Sequence, residues 1–173
     1  MRRWLLPVGT FVVVLAVFAA YWFQPWKLFT NKTVEETAPQ IASSTAPRSA
    51  TPTGQPTPSA AATLVAQGRF VTHEHDTTGT AQLVRLPTGA YQLILRDLRT
   101  SDGPDLRVWL TDQTVGDDWY AFDDGRHVEL GRLKGNRGTQ VYDVPATADV
   151  TALRSVSVWC KRFSVSFGAA QLA

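Results

Sequence analysis

The chain has 173 residues, of which 44% are hydrophobic, and a net charge of +2. This length accommodates one modest domain with appendages. Residues 1–62 carry five Lys or Arg against two Asp or Glu, whereas residues 63–173 carry 12 against 13. The larger part of the chain therefore lacks the basic surface of a nucleic-acid-binding protein, and no nucleic-acid partner is expected.

An uncharged apolar stretch lies near the N-terminus, over residues 4–23. As a helix these twenty residues would be about 30 Å long, which matches the hydrocarbon thickness of a bilayer. Arg2 and Arg3 precede the stretch, and Trp22 and Trp26 lie at its other end as interfacial anchors. The stretch is therefore predicted to be a transmembrane helix.

Residues 1–30 are predicted to be retained as a signal anchor. A cleavable signal peptide with a small-residue site near Ala19 is the alternative. Because the short basic end stays in the cytoplasm, the C-terminal domain is expected outside the cell, on a single-pass membrane protein. The membrane is thus the one partner that the sequence identifies directly.

Residues 31–62 are dominated by Ala, Thr, Pro and Ser. Such a composition buries too little apolar surface to offset the entropy of ordering the chain. The segment is therefore predicted to be a disordered linker that carries the C-terminal domain as a flexible stalk.

Residues 63–173 show short apolar runs broken by Gly, Pro and Asp, and no segment keeps a helical period. Residues 81–86 and 91–98 flank Pro87-Thr88-Gly89 and are typical of a hairpin. Further strands are expected at 106–110, 128–133 and 138–144. With seven to nine short strands, the fold class is predicted to be all-β, an antiparallel β-sandwich or barrel.

The last apolar stretch changes its alternation midway. Residues 156–160 place Val, Val and Cys on one side, whereas the apolar positions of 163–167 have the opposite parity. Either a two-residue turn or a bulge at Lys161-Arg162 explains the change, and the poor turn chemistry of Lys-Arg favours a bulge. Cys160 then lies on a half-buried strand, next to the irregularity.

Cys160 is the only cysteine in the chain, so it forms no intrachain disulfide, and an unpaired thiol outside the cytoplasm is a candidate reactive group. Lys161 and Arg162 would lower its pKa if their charged ends turn towards it. An exposed thiol would also permit a covalent dimer. The alternative is a small buried hydrophobic residue on the Val156 face.

Two histidines, His73 and His75, would project to the same side of a strand and could approach one metal or cofactor. Two ligands do not make a site, and His127 would have to come from a distant strand. The alternative is an exposed polar strand end. No metal site and no cofactor are therefore predicted.

The region 111–126 is an acidic, aromatic loop. Its aspartates do not follow the spacing of an EF-hand calcium loop and are typical of turns. Common hydrolase and phosphate-binding motifs are lacking. Trp109, Trp119 and Tyr120 are candidates for presenting an aromatic binding surface.

Several ordered blocks carry a resemblance to a known family. They are Phe70 with His75-x-x-x-Gly79, then Gly103-Pro104-Asp105-Leu106, then Leu130-Gly131-x-Leu133-Lys134-Gly135-Asn136-x-Gly138-x-Gln140-x-Tyr142, and finally Val158-Trp159-Cys160-x-x-Phe163-x-Val165-x-Phe167-Gly168. These blocks resemble the DM-thirteen domain family, over roughly residues 65–173.

The resemblance implies an all-β extracytoplasmic module that in other proteins accompanies DOMON domains and b-type cytochrome membrane domains. It implies electron transfer, with Cys160 at the position of the family cysteine and His75 at that of the family histidine. No haem-binding or cytochrome domain is encoded here, so a separate redox protein would be the partner.

Two hypotheses follow. In the first, the domain is a thiol-based redox or electron-transfer module with Cys160 as the reactive group and His75 as a proton partner; it is not expected to be a stand-alone enzyme. In the second, it is a non-catalytic module that binds an envelope component through Trp109, Trp119 and Tyr120. A metal or haem carrier is a third and weaker idea.

Overall fold

A computed structural model of the chain describes residues 2–42 and 61–173. It begins with helix α1, Arg2–Phe23. Gln24 adopts a left-handed conformation (φ 45°) and is followed by a short 3-10 helix, Pro25–Phe29. A left-handed residue before a proline ends a helix, because proline cannot continue its hydrogen-bond pattern. Residues Thr10–Lys27 have a mean hydropathy of 1.2 and none of them is buried, which is compatible with a single-pass anchor.

The rest of the described chain is mostly β, which confirms the predicted fold class. The strands are β1 Thr33–Glu35, β2 Thr63–Thr72, β3 Thr78–Arg85, β4 Tyr91–Arg99, β5 Leu106–Thr111, β6 His127–Arg132, β7 Arg137–Val144, β8 Ser155–Cys160 and β9 Val165–Gln171. They form one nine-stranded sheet in the order β1-β7-β4-β3-β2-β9-β8-β5-β6. The sheet curls into a half-barrel. All of its pairs are antiparallel except β1 with β7.

Apolar side chains fill the main core of the half-barrel. They include Leu93, Leu95, Val108, Val158 and Phe167 from four neighbouring or facing strands. Strand β2 links the two halves of the sheet, because it pairs with β3 through its first part and with β9 through its last. The hairpin predicted around residues 87–89 is confirmed as β3 and β4.

Strand β8 is buried on both faces, so the expectation of a half-buried strand was wrong. Trp159 packs with Trp109, Phe122 and Ala169 in a second cluster, apart from the main core. Phe122 belongs to the acidic, aromatic loop 111–126, where it lies in a short 3-10 helix, Ala121–Asp123. Because this loop covers the face that would otherwise meet water, Trp159 is only 1% exposed.

Residues 161–164 form a turn between β8 and β9, so the predicted bulge at Lys161-Arg162 was also wrong. A four-residue connection reverses the chain, and Cys160 pairs with Val165 across the hairpin. A bulge does occur, but further along. Val158 pairs with Gly168 and Trp159 pairs with Ser166, which leaves Phe167 without a partner in β8.

The segment predicted to be a linker, 31–62, is partly ordered against the sheet. Strand β1 pairs in parallel with β7, and the amide of Ala42 donates to the carbonyl of Ala62 over 2.9 Å. Residues 43–60, which hold most of the Pro-rich sequence, lie outside the described residues.

A glycine-containing turn before β7 holds the segment 31–36. The amide of Lys32 donates to the Oδ1 of Asn136 over 2.7 Å, and the Nζ of Lys134 lies 2.8 Å from the Oε2 of Glu36. A Cβ at Gly135 would overlap the carbonyl oxygen of Lys32, and a Cβ at Gly138 would overlap that of Val34. These glycines therefore let two backbones approach closely.

Candidate functional site between the helix and the sheet

The β8–β9 turn contacts the end of helix α1. The Nη1 of Arg162 donates to the carbonyl oxygens of Trp22 over 2.7 Å and of Tyr21 over 3.3 Å. Carbonyls at the end of a helix lack partners within the helix, so a guanidinium is a favourable cap. The rings of Phe23 and Phe163 stack with centroids 5.7 Å apart. The turn thus holds the sheet against the end of the helix.

The residues that follow helix α1 make a second contact with the sheet domain, at Asp102. The Nζ of Lys27 lies 3.3 Å from the Oδ2 of Asp102, and the Oγ1 of Thr30 donates to the same oxygen over 3.0 Å. Asp102 is fixed by its own loop, because its Oδ1 accepts the amide of Gly103 over 2.8 Å. The chain leaving the helix is therefore joined to the turn before β5.

A pocket of about 370 Å³ lies between these contacts. Five separate segments line it: the helix end at 23–27, the loop 74–75, the turn 102–104, Tyr120, and the β8–β9 hairpin at 163–167. Most of its wall is apolar, and its polar side chains are those of Gln24, Lys27, Glu74, His75 and Asp102, with the hydroxyl of Tyr120. Its volume lies within the range of sites for small molecules. We call it the junction pocket.

The bulge at Phe167 positions His75. The carbonyl oxygen of Phe167 accepts the amides of His73 over 3.1 Å and of His75 over 3.2 Å, and the hydroxyl of Thr77 over 3.1 Å. Three donors on one carbonyl fold the loop after β2 back onto the bulge. The imidazole of His75 consequently lies against the ring of Phe167, with centroids 4.0 Å apart.

Burial lowers the pKa of His75, although the negative charges of Glu74 and Asp76 act in the opposite direction. The ordinary value is 6.5, so the imidazole is neutral at neutral pH. A neutral imidazole offers one hydrogen-bond donor and one acceptor. His75 can therefore bind a carbonyl or a hydroxyl group in the junction pocket.

His73 does not share a site with His75, so the structure does not support a common metal or cofactor for the two. Strand β2 ends at Thr72, and the strand geometry expected to align the two rings is therefore absent. His73 is buried against Trp119, with centroids 6.0 Å apart, and near Phe122. Within residues 2–42 and 61–173, no group of three His, Cys, Asp or Glu side chains is arranged to hold a metal ion.

Cys160 is buried in the main core and is 0% exposed. Burial raises the pKa of its thiol, although the backbone N–H groups of Phe163, Arg162 and Asp105 act in the opposite direction. The thiol is therefore protonated at neutral pH and closed to solvent. This arrangement matches the packing alternative more closely than the reactive thiol, and it leaves no exposed sulfur for a covalent dimer.

The charged ends of the two cations next to Cys160 bind oxygen atoms on other elements, so the condition under which they would lower the pKa of its thiol is not met. The Nζ of Lys161 lies 3.3 Å from the Oε2 of Glu129, and Arg162 caps helix α1. Each cation therefore has an oxygen partner on another element.

The three aromatic residues proposed as a binding surface lie in different environments. Trp109 is 4% exposed and stacks between His127 and Trp159. Trp119 is half-buried, and Tyr120 is 60% exposed at the junction pocket. Only Tyr120 is thus well placed to meet a ligand.

Several residues of the pocket were missed by sequence reasoning. Phe23 was assigned only to the membrane span, and Asp102 was not identified as a candidate. The blocks Gly103-Pro104-Asp105 and Phe163-x-Val165-x-Phe167 were seen as parts of a pattern, without any indication that they face one space. Their place in the pattern that resembles the family was the one feature of the sequence that could have indicated them.

The fold and the site define a class: an apolar N-terminal helix joined to an all-β half-barrel, with a pocket at the junction. The chain belongs to the DM13 family, whose model, described as electron transfer DM13, matches residues 69–172. This confirms the resemblance to DM-thirteen, and electron transfer fits a redox role. No match was found among curated proteins or among solved structures.

Proposed function

We propose that the protein is a membrane-anchored, extracytoplasmic electron-transfer module that binds a small redox-active molecule in the junction pocket. The observation that carries the proposal is the pocket itself. Most of the residues in its wall lie within the part of the chain that matches the family model, including His75, Tyr120 and the hairpin at 163–167. Helix α1 is the anchor, with its basic end in the cytoplasm.

The thiol hypothesis is the alternative within the same class. It is favoured by the three backbone N–H groups that oppose the rise in the pKa of the Cys160 thiol. It is disfavoured by complete burial, because thiol chemistry requires an accessible thiolate. In the pocket proposal, Cys160 is a packing residue of the main core, while His75 orients the bound molecule.

The two can be separated with the full-length chain purified from its native membrane in a mild detergent. The measurement is the difference spectrum between dithionite-reduced and ferricyanide-oxidised protein. The pocket proposal predicts a redox-dependent spectrum that His75→Leu weakens and Cys160→Ala preserves. A spectrum that follows Cys160 and ignores His75, or no redox-dependent change in the wild-type chain, would contradict it.

A further inference from the structure

We propose that the junction pocket binds the ring of a lipid-soluble quinone or quinol, an inference that rests on the proposed function above. Such a molecule is itself the electron carrier, so the chain needs only to bind and orient it. The inference depends on the position, the lining and the charge of the pocket.

The position of the pocket suits a ligand that is dissolved in a bilayer. Its wall includes Phe23, the last residue of helix α1, and residues up to Lys27. Trp22 and Trp26, on either side of this helix end in the sequence, are 45% and 50% exposed. Exposed tryptophans are expected at a membrane interface. A quinone ring could therefore enter from the interface while its tail stays among the lipids.

The lining suits a flat ring that carries two oxygen atoms. Aromatic side chains line the pocket, namely Phe23, Tyr120, Phe163 and Phe167, and aromatic faces favour stacking. His75 supplies a neutral imidazole that can donate to a quinone carbonyl or accept from a quinol hydroxyl. Lys27 adds a second donor to the lining.

The charge of the lining disfavours a phospholipid head group. Among the described residues that line the pocket, Lys27 is the only cation. It is paired with Asp102, while Glu74 adds a second carboxylate. The charged groups thus sum to a negative value, which repels phosphate. A neutral ring with hydrogen-bonding oxygens meets no such penalty.

The test uses the full chain in lipid nanodiscs and a radiolabelled benzoquinone that carries a decyl chain, with empty nanodiscs to correct for partitioning. Saturable binding is expected, with an affinity about tenfold lower in His75→Leu because one hydrogen bond is lost. Tyr120→Ala, at an exposed position, should also weaken binding. His127→Leu is the matched control, since that exposed imidazole lies outside the pocket, and its affinity should equal that of the wild type.

Two results would overturn the inference. One is the lack of saturable binding above empty nanodiscs. The other is equal competition by decylbenzene, which has the chain and a ring but no oxygen atoms, because the pocket would then be a site for acyl chains. Either result alongside a His75-dependent difference spectrum would reject the quinone and keep the proposed function. The absence of both signals would reject both.

Discussion

Replacing Gly138 with alanine should release the segment that joins the helix to the sheet. Gly138 has φ 98°, and an L-residue in that region costs about 1–3 kcal/mol. The added Cβ would also overlap the carbonyl oxygen of Val34, so β1 would have to move. That movement would strain the bonds from Lys32 to Asn136 and from Arg137 to Lys32, each of which contributes about 1 kcal/mol.

Gly131→Ala is the matched control, because Gly131 has φ 123° but no atom within 4 Å of the added Cβ. In both variants the positive φ of the new alanine should lower the free energy of unfolding by a similar amount. In Gly138→Ala the overlap with β1 should lower it by about a further 1–2 kcal/mol. The assay is denaturant unfolding of the full chain in detergent, combined with hydrogen exchange over residues 32–36. Exchange should accelerate only in Gly138→Ala. Equal stability loss in the two variants, with unchanged exchange, would refute the reasoning.

Three further predictions concern single side chains. Cys160 should react with N-ethylmaleimide only on unfolding, since it is buried with a raised pKa; rapid labelling of the native chain at pH 7 would contradict this. His73→Phe should raise the free energy of unfolding by about 1–2 kcal/mol, because neither ring nitrogen has a partner among the described residues. Burial lowers the pKa of His73 from 6.5, so the unfolded wild-type chain binds the proton more tightly than the folded one. The free energy of unfolding therefore falls as the pH drops below about 6.5. This pH dependence should be weaker in His73→Phe, and an unchanged pH profile would count against the reasoning. Arg162→Ala should increase the exchange of the last turn of α1, measured by mass spectrometry, whereas Lys161→Ala, whose partner is Glu129, should not.

Local patterns in the sequence were sufficient for the all-β fold and for the helix. Residues 4–23 lack charge, and the alternation on both sides of Pro87-Thr88-Gly89 predicts a hairpin without knowledge of any partner. The bounds of β3 and β4 agree with that prediction. In these elements the signals are local in the sequence, namely an uncharged apolar run, hydrophobic alternation and turn chemistry.

The ordering of residues 33–36 was not predictable from composition. Strand β1 has only three residues, too few for a period, and backbone bonds and the ion pair from Glu36 to Lys134 hold this stretch instead of an apolar face. Such bonds depend on the edge of β7, about a hundred residues later in the chain.

The environment of strand β8 depended on elements that are distant in the sequence. Alternation suggested one exposed face for β8, but the loop with Phe122 covers that face. The charges of Lys161 and Arg162 were expected near the sulfur, yet Glu129 and the end of α1 attract them. The pocket likewise draws on five distant segments, so residue spacing gave no indication of it.

The central claim is that the sheet is held against the end of the helix, so that a pocket forms there. The most direct test is cross-linking of Phe23→Cys with Phe163→Cys, in a Cys160→Ala background in native membranes, with a short bifunctional thiol reagent. The stacked rings of the wild-type residues predict an efficient intramolecular cross-link. A control pair, Phe23→Cys with Thr88→Cys, should give none, since the turn at Thr88 lies at the end of β3 and β4 remote from the junction. Equal and inefficient cross-linking of both pairs would contradict the account.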